Sequence, residues 1–219
     1  MIIFFKNFKR TDRTLLSIQS VRHFFPTIDI RCLTLYLDGE HEYDEYTNKF
    51  KELGVTVYMD KKKYNFAESG AGSMNNGFYF TEGINKMFNL SRNHSKVLML
   101  DEDSFFTTGK TIKFLIDNDF DFAYGTWPSP IPNDCEQING SIVALNCNKL
   151  QELFPLPERL EYIENLLGSE LHSQCLKRGF KTLAIPTRVY TNYGGDGSHT
   201  NDVEEIKKVL TEANIRFNI

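Results

Sequence analysis

Apolar positions along this chain switch repeatedly between continuous runs of strand length and stripes of helical spacing. Residues 2–5 form a short apolar run that predicts a buried strand. Thr11 or Asp12 stands where a helix cap is needed. Leu15, Leu16, Ile18, Val21 and Phe24 then fall on one helical face, which Pro26 ends. Residues 28–37 are β-branched and apolar, a second predicted strand closing at Asp38-Gly39. Residues 43–53 predict a helix stopped by Gly54, and residues 55–59 a third strand. A Gly- and Ser-rich loop at 69–73 leads into a predicted helix over about 76–90. The strand 96–100 then runs straight into Asp101-Glu102-Asp103. Beyond it the pattern predicts a helix at 111–118, strands at 120–124 and 141–145, and a late helix at 160–178 closed by Gly179. A strand at 181–185 closed by Pro186 follows, then a loop at 190–202 rich in Gly, Asn and Thr, and a final helix at 203–213. That last helix starts acidic and carries Lys207-Lys208 later, as the helix dipole favours.

Strands alternating with helices at this spacing indicate βαβ units, hence an α/β fold whose mostly parallel sheet is covered on both faces. No internal repeat or linker interrupts the order, so residues 1–219 are expected to form a single domain. With 41% hydrophobic residues, the chain can bury a core without disulfides or a structural metal. Its 18 Phe and 10 Tyr exclude a disordered chain.

The net charge of −4 supplies no field for nucleic acid or an anionic membrane, and no basic stripe is present. The one dense basic run, Lys61-Lys62-Lys63, reads as a solvated turn after the third strand. Cysteines at 32, 135, 147 and 175 form no CxxC pair, and Cys32 and Cys147 lie in apolar runs as buried thiols. A reduced set of this kind predicts a cytoplasmic setting. The apolar start is too short for a signal-peptide core or a membrane span. The sequons at Asn89, Asn93 and Asn139 are therefore not read as glycosylation sites.

Chemistry concentrates in KVLMLDEDSFF. An unbroken apolar strand delivers Asp101 and Asp103 to its carboxyl end, which is where ligands bind in open α/β sheets. Two carboxylates side by side repel unless a cation neutralises them, and oxygen ligands of this type suit Mg²⁺ or Mn²⁺ together with substrate phosphates. Taken alone, the pair also fits an acidic turn facing solvent. His199 lies in GGDGSHTND, where three glycines let the backbone approach a ligand closely, and neutral imidazole makes a plausible third metal ligand.

The N-terminal strand, the strand ending in Asp101-Glu102-Asp103, and the late Gly-rich loop with His199 together resemble the glycosyltransferase A fold, in order, from residue 2 to about residue 200. The resemblance implies a single Rossmann-like nucleotide-sugar-binding catalytic domain. It implies that Asp101 and Asp103 hold Mn²⁺ (or Mg²⁺) with the sugar or ribose, Glu102 lies within that motif beside the donor, and His199 completes the metal shell. Asp38 would contact the base, and the turn after the first strand (Phe5, Lys6, Asn7 and Phe8) would flank the nucleotide. INGSIVALN resembles the acceptor-side strand, though it also reads as an ordinary turn into a buried strand. The loop at 69–73 with Asn75 and Asn76 could offer backbone N–H groups to a sugar or diphosphate, or be only a loop.

The function implied is transfer of a hexose from a UDP-sugar, UDP-glucose being one candidate, to a saccharide or glycoprotein-glycan acceptor. Inverting relatives carry an acidic pair about eleven residues before a glycine. Here that glycine matches Gly179 and the position holds Leu167-Gly168. Glu170 is the preferred base on the expectation that Gly168-Ser169 starts the helix; a helix-start acid serving only the dipole is the other reading. A sugar-nucleotidyltransferase would want a Gly-rich loop with Arg after the first strand, and FKNFKRTDRT contains no glycine. A haloacid-dehalogenase-like phosphatase would carry its acid pair after the first strand. A non-catalytic carbohydrate- or nucleotide-sugar-binding module is the remaining alternative.

Overall fold

The first apolar run becomes β1 (Ile2–Phe8), a central strand. It is followed by α1 (Thr11–Phe24), β2 (Asp29–Leu37), α2 (Tyr43–Glu52), β3 (Val55–Tyr64), α3 (Met74–Leu90) and β4 (Val97–Asp101). The second half contains β5 (Ser104–Phe106), α4 (Lys110–Asp117), β6 (Phe122–Trp127), β7 (Gln137–Leu145), α5 (Glu164–Lys177), β8 (Thr182–Arg188), β9 (Gly197–His199) and α6 (Val203–Glu212). The structure, a computed structural model, describes residues 1–8, 11–37, 43–64, 74–102, 104–127, 137–157, 164–188, 197–199 and 202–218.

Seven strands form one sheet in the order β3-β2-β1-β4-β7-β6-β8. β7 is antiparallel to β4 and β6, and the other six run together, so the expected α/β, mostly parallel sheet is what forms. Alternation along the strands divides the core. Ile2, Phe4, Val97 and Met99 pack toward Ile84, Met87 and Phe88 of α3 and Leu171 and Cys175 of α5. Ile3, Phe5, Leu98 and Leu100 pack toward Leu15, Ile18 and Val21 of α1, Phe50 of α2, and Ile112 and Leu115 of α4. A third cluster joins Leu16 and Phe105 to Ile206, Val209 and Leu210 of α6.

Several boundaries differ from the expectation for physical reasons. β3 does not turn at Lys61-Lys62-Lys63 but continues to Tyr64. It is an edge strand, where lysines are tolerated, and a register break between Leu35 and Leu37 of β2 absorbs the extra length. β8 likewise passes through Pro186, again on an edge and inside a register break, so the missing N–H costs little. α5 starts no later than Glu164, which makes Gly168 and Ser169 interior residues and not the helix start. Burial of Leu171 and Cys175 outweighs the roughly 1 kcal/mol that an interior glycine costs. Residues 160–163 of the expected helix lie outside the described residues.

Gly179 ends α5 as expected, at φ +72°, with its own N–H donating to the Leu176 carbonyl (3.1 Å) and the Phe180 N–H to that of Cys175 (3.0 Å). Cys32, Cys147 and Cys175 are free and buried, and desolvation pushes each thiol up to about 12, so none is a ready nucleophile. Cys135 lies outside the described residues. Among the described residues, no helix is long and apolar enough to cross a membrane.

Candidate functional site

Two neighbouring apolar rows end in opposite charges at the carboxyl end of the sheet. On β1 the row Ile2, Phe4 continues to Lys6, and on β4 the row Val97, Met99 continues to Asp101. Parallel pairing sets Lys6 beside Asp101 in register. Their side chains meet with Lys6 Nζ 2.7 Å from Asp101 Oδ1, and are only 12% and 16% exposed. The following turn is held from behind, since Ser17 Oγ of α1 donates to the Glu102 carbonyl at 3.1 Å. Asp103 lies outside the described residues.

Immediately after the carboxylates comes a two-stranded ribbon that the sequence pattern does not reveal. β5 pairs antiparallel with β9, with Ser104 opposite His199, Phe105 opposite Ser198 and Phe106 opposite Gly197. Phe105 is buried in the α1–α6 cluster and Phe106 in the α1–α2–α4 cluster, while the Phe106 N–H donates to Ser20 Oγ at 3.0 Å. Alternate burial of the two phenylalanines thus nails β5 to α1. Because directly opposed residues in an antiparallel pair lie about 4.5–5.5 Å apart at Cα, the backbone of His199 is brought beside the residue that follows Asp103. The expected loop at 190–202 therefore contains a short strand. α6 starts directly behind it, capped by Asp202, whose Oδ1 accepts from the Glu204 N–H at 2.9 Å.

The sheet's register irregularities gather at this same end. β2 and β3 slip after Leu35, β6 and β8 after Tyr124, and β6 and β7 between Tyr124 and Gly125. In the last case one step along β6 is matched by the passage from Val143 to Asn139 on β7. β4 and β7 make their final pair at Leu100 and Ile142, so the Asn139-Gly140-Ser141 stretch comes level with Asp101. Bulges of this kind re-aim backbone and side chains, and they are common beside active sites.

The other expected site residues fall in different places. Phe5 is fully buried among Leu15, Ile18 and Leu98, and Asn7 is fully buried, accepting from Thr14 Oγ1 (2.9 Å) and donating to Thr34 Oγ1 (3.3 Å). Their side chains tie β1 to α1 and β2. The expectation of a turn at residues 5–8 fails because β1 continues to Phe8 and parity turns both side chains inward. Lys6, of opposite parity, is the one of the three that reaches the site.

Asp38 and the loop at 69–73 lie outside the described residues, as do the side chains of Phe8, Asn75, Asn76 and His199; the backbone of Asn76 belongs to the first turns of α3. Glu170 is half-buried on α5 and accepts from Gln174 Nε2 at 2.9 Å. Among the described residues, no three His, Cys, Asp or Glu side chains stand together as a metal site. The register brings the backbone of His199 beside Ser104, two positions after Glu102, at the end of the sheet where β4 ends in Asp101.

No protein-family profile matches the chain, and no curated protein matches it in sequence. Solved structures do match, at low identity. The galactosyltransferase LgtC, solved with donor and acceptor sugar analogues, aligns at TM-score 0.55 and 13% identity over 100% of this chain and 97% of its own. The mannosyltransferase PcManGT from Pyrobaculum calidifontis, solved with GDP-Man and Mn²⁺, aligns at TM-score 0.56 and 10% identity over 88% of this chain and 57% of its own. The glycosyltransferase GlyE of Streptococcus pneumoniae TIGR4 aligns at TM-score 0.50 and 16% identity over 83% of this chain and 44% of its own, so the chain spans less than half of GlyE's length. The inositol-1-phosphate CTP transferase from T. maritima aligns too, at TM-score 0.54 and 11% identity over 95% of this chain and 96% of its own. These likenesses show a fold of the glycosyltransferase A type, which glycosyltransferases and nucleotidyltransferases share.

Proposed function

We propose that this chain is a metal-dependent glycosyltransferase that moves a hexose from a UDP-sugar to a saccharide or glycoprotein-glycan acceptor. One observation carries the reading: the β5–β9 register, which sets the backbone of His199 against the strand that leaves Asp103, at the end where β4 presents Asp101. Residue 199 is far from residues 101 and 103 in the chain, and the ribbon brings its backbone beside Ser104, which directly follows them.

In this reading Asp101, Asp103 and His199 hold Mn²⁺, which would supply Lewis-acid stabilisation to the departing diphosphate. The chain's own groups do the remainder. Lys6 adds positive charge beside the phosphates. The bulged stretch Asn139-Gly140-Ser141 borders the sugar, and Glu170, which stands inside α5 and not at its start, accepts from Gln174 and would take the acceptor proton in an inverting reaction. Glu170→Gln would then slow turnover about 10²–10⁴-fold and leave donor affinity unchanged; equal losses in both would show that Glu170 is structural.

Two observations weigh against the neighbouring chemistries. β1 ends at Phe8 and α1 begins at Thr11, so only Lys9 and Arg10 connect them. That leaves no room for the Gly-rich phosphate loop of a nucleotidyltransferase. The carboxylate pair follows β4, not the first strand, which disfavours a haloacid-dehalogenase-like phosphatase.

Calorimetric titration of UDP, UDP-glucose and GDP-mannose, each with and without Mn²⁺, tests the proposal. Mn²⁺-dependent binding of a UDP-sugar is the expected result. GDP-mannose binding alone would keep the transferase and correct the donor, and no binding at all would sink the reading. Hydrolysis of the bound sugar nucleotide separates an enzyme from a binding module.

A further inference from the structure

We infer that the cleft between α1, α2 and the segment that follows α6 is a second ligand site, one that takes a small organic anion with a phosphate or carboxylate head on an apolar body. Its volume of about 570 Å³ is that of a small-molecule pocket. α1 and α2 cover the sheet face that carries Ile3, Phe5 and Leu98, whereas Lys6 and Asp101 continue the rows of the α3–α5 face. Arg22 and His23 stand in the last turn of α1, which leads to the amino end of β2. The cleft is therefore separated from the Lys6–Asp101 pair by the sheet itself, and lies toward the other end of its strands.

The chain as a whole carries a charge of −4, yet this cleft gathers Arg22, Lys49 and Arg216, with His23 beside them. Among the residues that line it, Glu52 is the one acid. Arg22 is fixed before any ligand arrives. Its Nε donates to the Leu53 carbonyl (2.9 Å), its Nη1 to those of Pro26 (3.1 Å) and Ile28 (2.6 Å), and its Nη2 to that of Gly54 (3.1 Å). Carbonyls hold the guanidinium in place without cancelling its charge. Burial pushes Arg22 below its ordinary value, with Asp29 acting the other way. Arg216 is exposed and, among the described residues, meets no carboxylate, so its planar fork is open to the oxygens of a phosphate or carboxylate.

Apolar surface stands beside these charges, from Leu15 of α1, Leu53 at the end of α2, and Phe217 next to Arg216. The wall that carries Phe217 is tied down. Gln19 Nε2 donates to the Asn218 carbonyl, and the Asn218 N–H donates back to Gln19 Oε1 at 2.8 Å. A wall held in this way lowers the ordering cost of binding. An inorganic anion alone would leave the apolar wall wet, and a neutral aromatic would leave the cations unmet. A ligand that carries both parts satisfies the cleft.

Phenyl phosphate is the probe, with inorganic phosphate and benzyl alcohol as its two halves. Each is titrated into the isotope-labelled full chain without metal and followed by amide NMR shifts. Saturable shifts at Gln19, Leu53 and Phe217 are expected, with phenyl phosphate at least about tenfold tighter than either half. Arg216→Gln should weaken it about tenfold. Glu52→Gln should strengthen it about threefold by removing the opposing carboxylate. Both side chains are exposed, so both variants should melt as the wild type does, and neither should alter the response to benzyl alcohol.

Shifts confined to Lys6, Asp101 and their neighbours, or no shift up to about 10 mM phenyl phosphate, overturn the site. Equal affinity for phenyl phosphate and inorganic phosphate also overturns it, because only a cationic surface would then remain. So does a change of the same sign in both variants.

Discussion

Asp121 and Asp101 both pair with a lysine, at opposite ends of the same sheet. At the amino end, Asp121 Oδ1 lies 2.8 Å from Lys149 Nζ and its Oδ2 accepts from the Lys181 backbone N–H at 2.9 Å. At the carboxyl end, Asp101 meets Lys6 at 2.7 Å. The carboxylates are similarly buried, but Lys149 is 53% exposed whereas Lys6 is 12% exposed. A solvated lysine with a backbone donor beside it makes a fixed joint, since nothing is gained by exchanging either partner. Around it the amino end is closed in the same manner: Lys96 Nζ donates to the carbonyls of Leu115, Ile116 and Asn118, ending α4. The carboxyl end has the register breaks, the β5–β9 ribbon and a dry ion pair. Paired charges thus serve the fold at one end, and at the other a less exposed pair stands where the proposed site lies.

The largest effect that could break this contrast comes from Asp101→Asn. It should weaken Mn²⁺-dependent UDP-sugar binding by more than the roughly 10–100-fold that losing an outer-shell partner costs. Stability should change less than binding, because the amide oxygen of Asn can still accept from Lys6 Nζ. Asp121→Asn should do the reverse, costing about 2–3 kcal/mol in a denaturant melt with donor binding unchanged.

The second variant also has a pH signature. Burial works to raise the Asp121 carboxyl, but the bonds to Lys149 and Lys181 outweigh it and hold the group below its ordinary value. A depressed folded value means that the stabilisation is complete above the ordinary carboxylate range and disappears as pH falls through the lowered one. The stability gap between wild type and Asp121→Asn should therefore be full at neutral pH and close in acid. A gap that is flat with pH would assign the loss to shape and not to charge.

How far the sequence revealed these two ends depended on length and parity. α1, β2, α2, α4 and α6 were legible because each holds one hydrophobic period long enough to count. The carboxylate pair was legible because residues 97–100 are unbroken apolar strand. β5 and β9 were not, since strands of three residues contain no period. Lys6 was picked out only as part of a supposed turn. Its true setting needed the strand's real end at Phe8, after which alternation sends Phe5 and Asn7 inward and leaves Lys6 at the site. The boundaries at Lys61 and Pro186 misread for one reason: residues that usually stop a strand are tolerated on edges, and edges are set by sheet order, which local pattern does not contain.

The smallest expected effect tests whether the two ends are independent along a single helix. α5 is closed by Gly179, which leads toward the amino end of β8, so its first turn lies away from that end of the sheet. Gly179 has φ +72°, and a Cβ placed there meets nothing within 4 Å. Gly179→Ala therefore adds no clash and isolates the cost of a left-handed alanine, about 1–2 kcal/mol. For a chain of this size that is a melting-temperature drop of about 2–8 °C. The bonds of Gly179 and Phe180 to Leu176 and Cys175 lie at the far end of α5 from its first turn. UDP-sugar affinity in the presence of Mn²⁺ should therefore stay within twofold, about 0.4 kcal/mol. A tenfold loss of affinity in a folded Gly179→Ala chain would mean that α5 transmits strain from the structural end of the sheet to the binding end. The division between them would then be one of degree, with Glu170, which lies between the two, as the first residue to examine for that coupling.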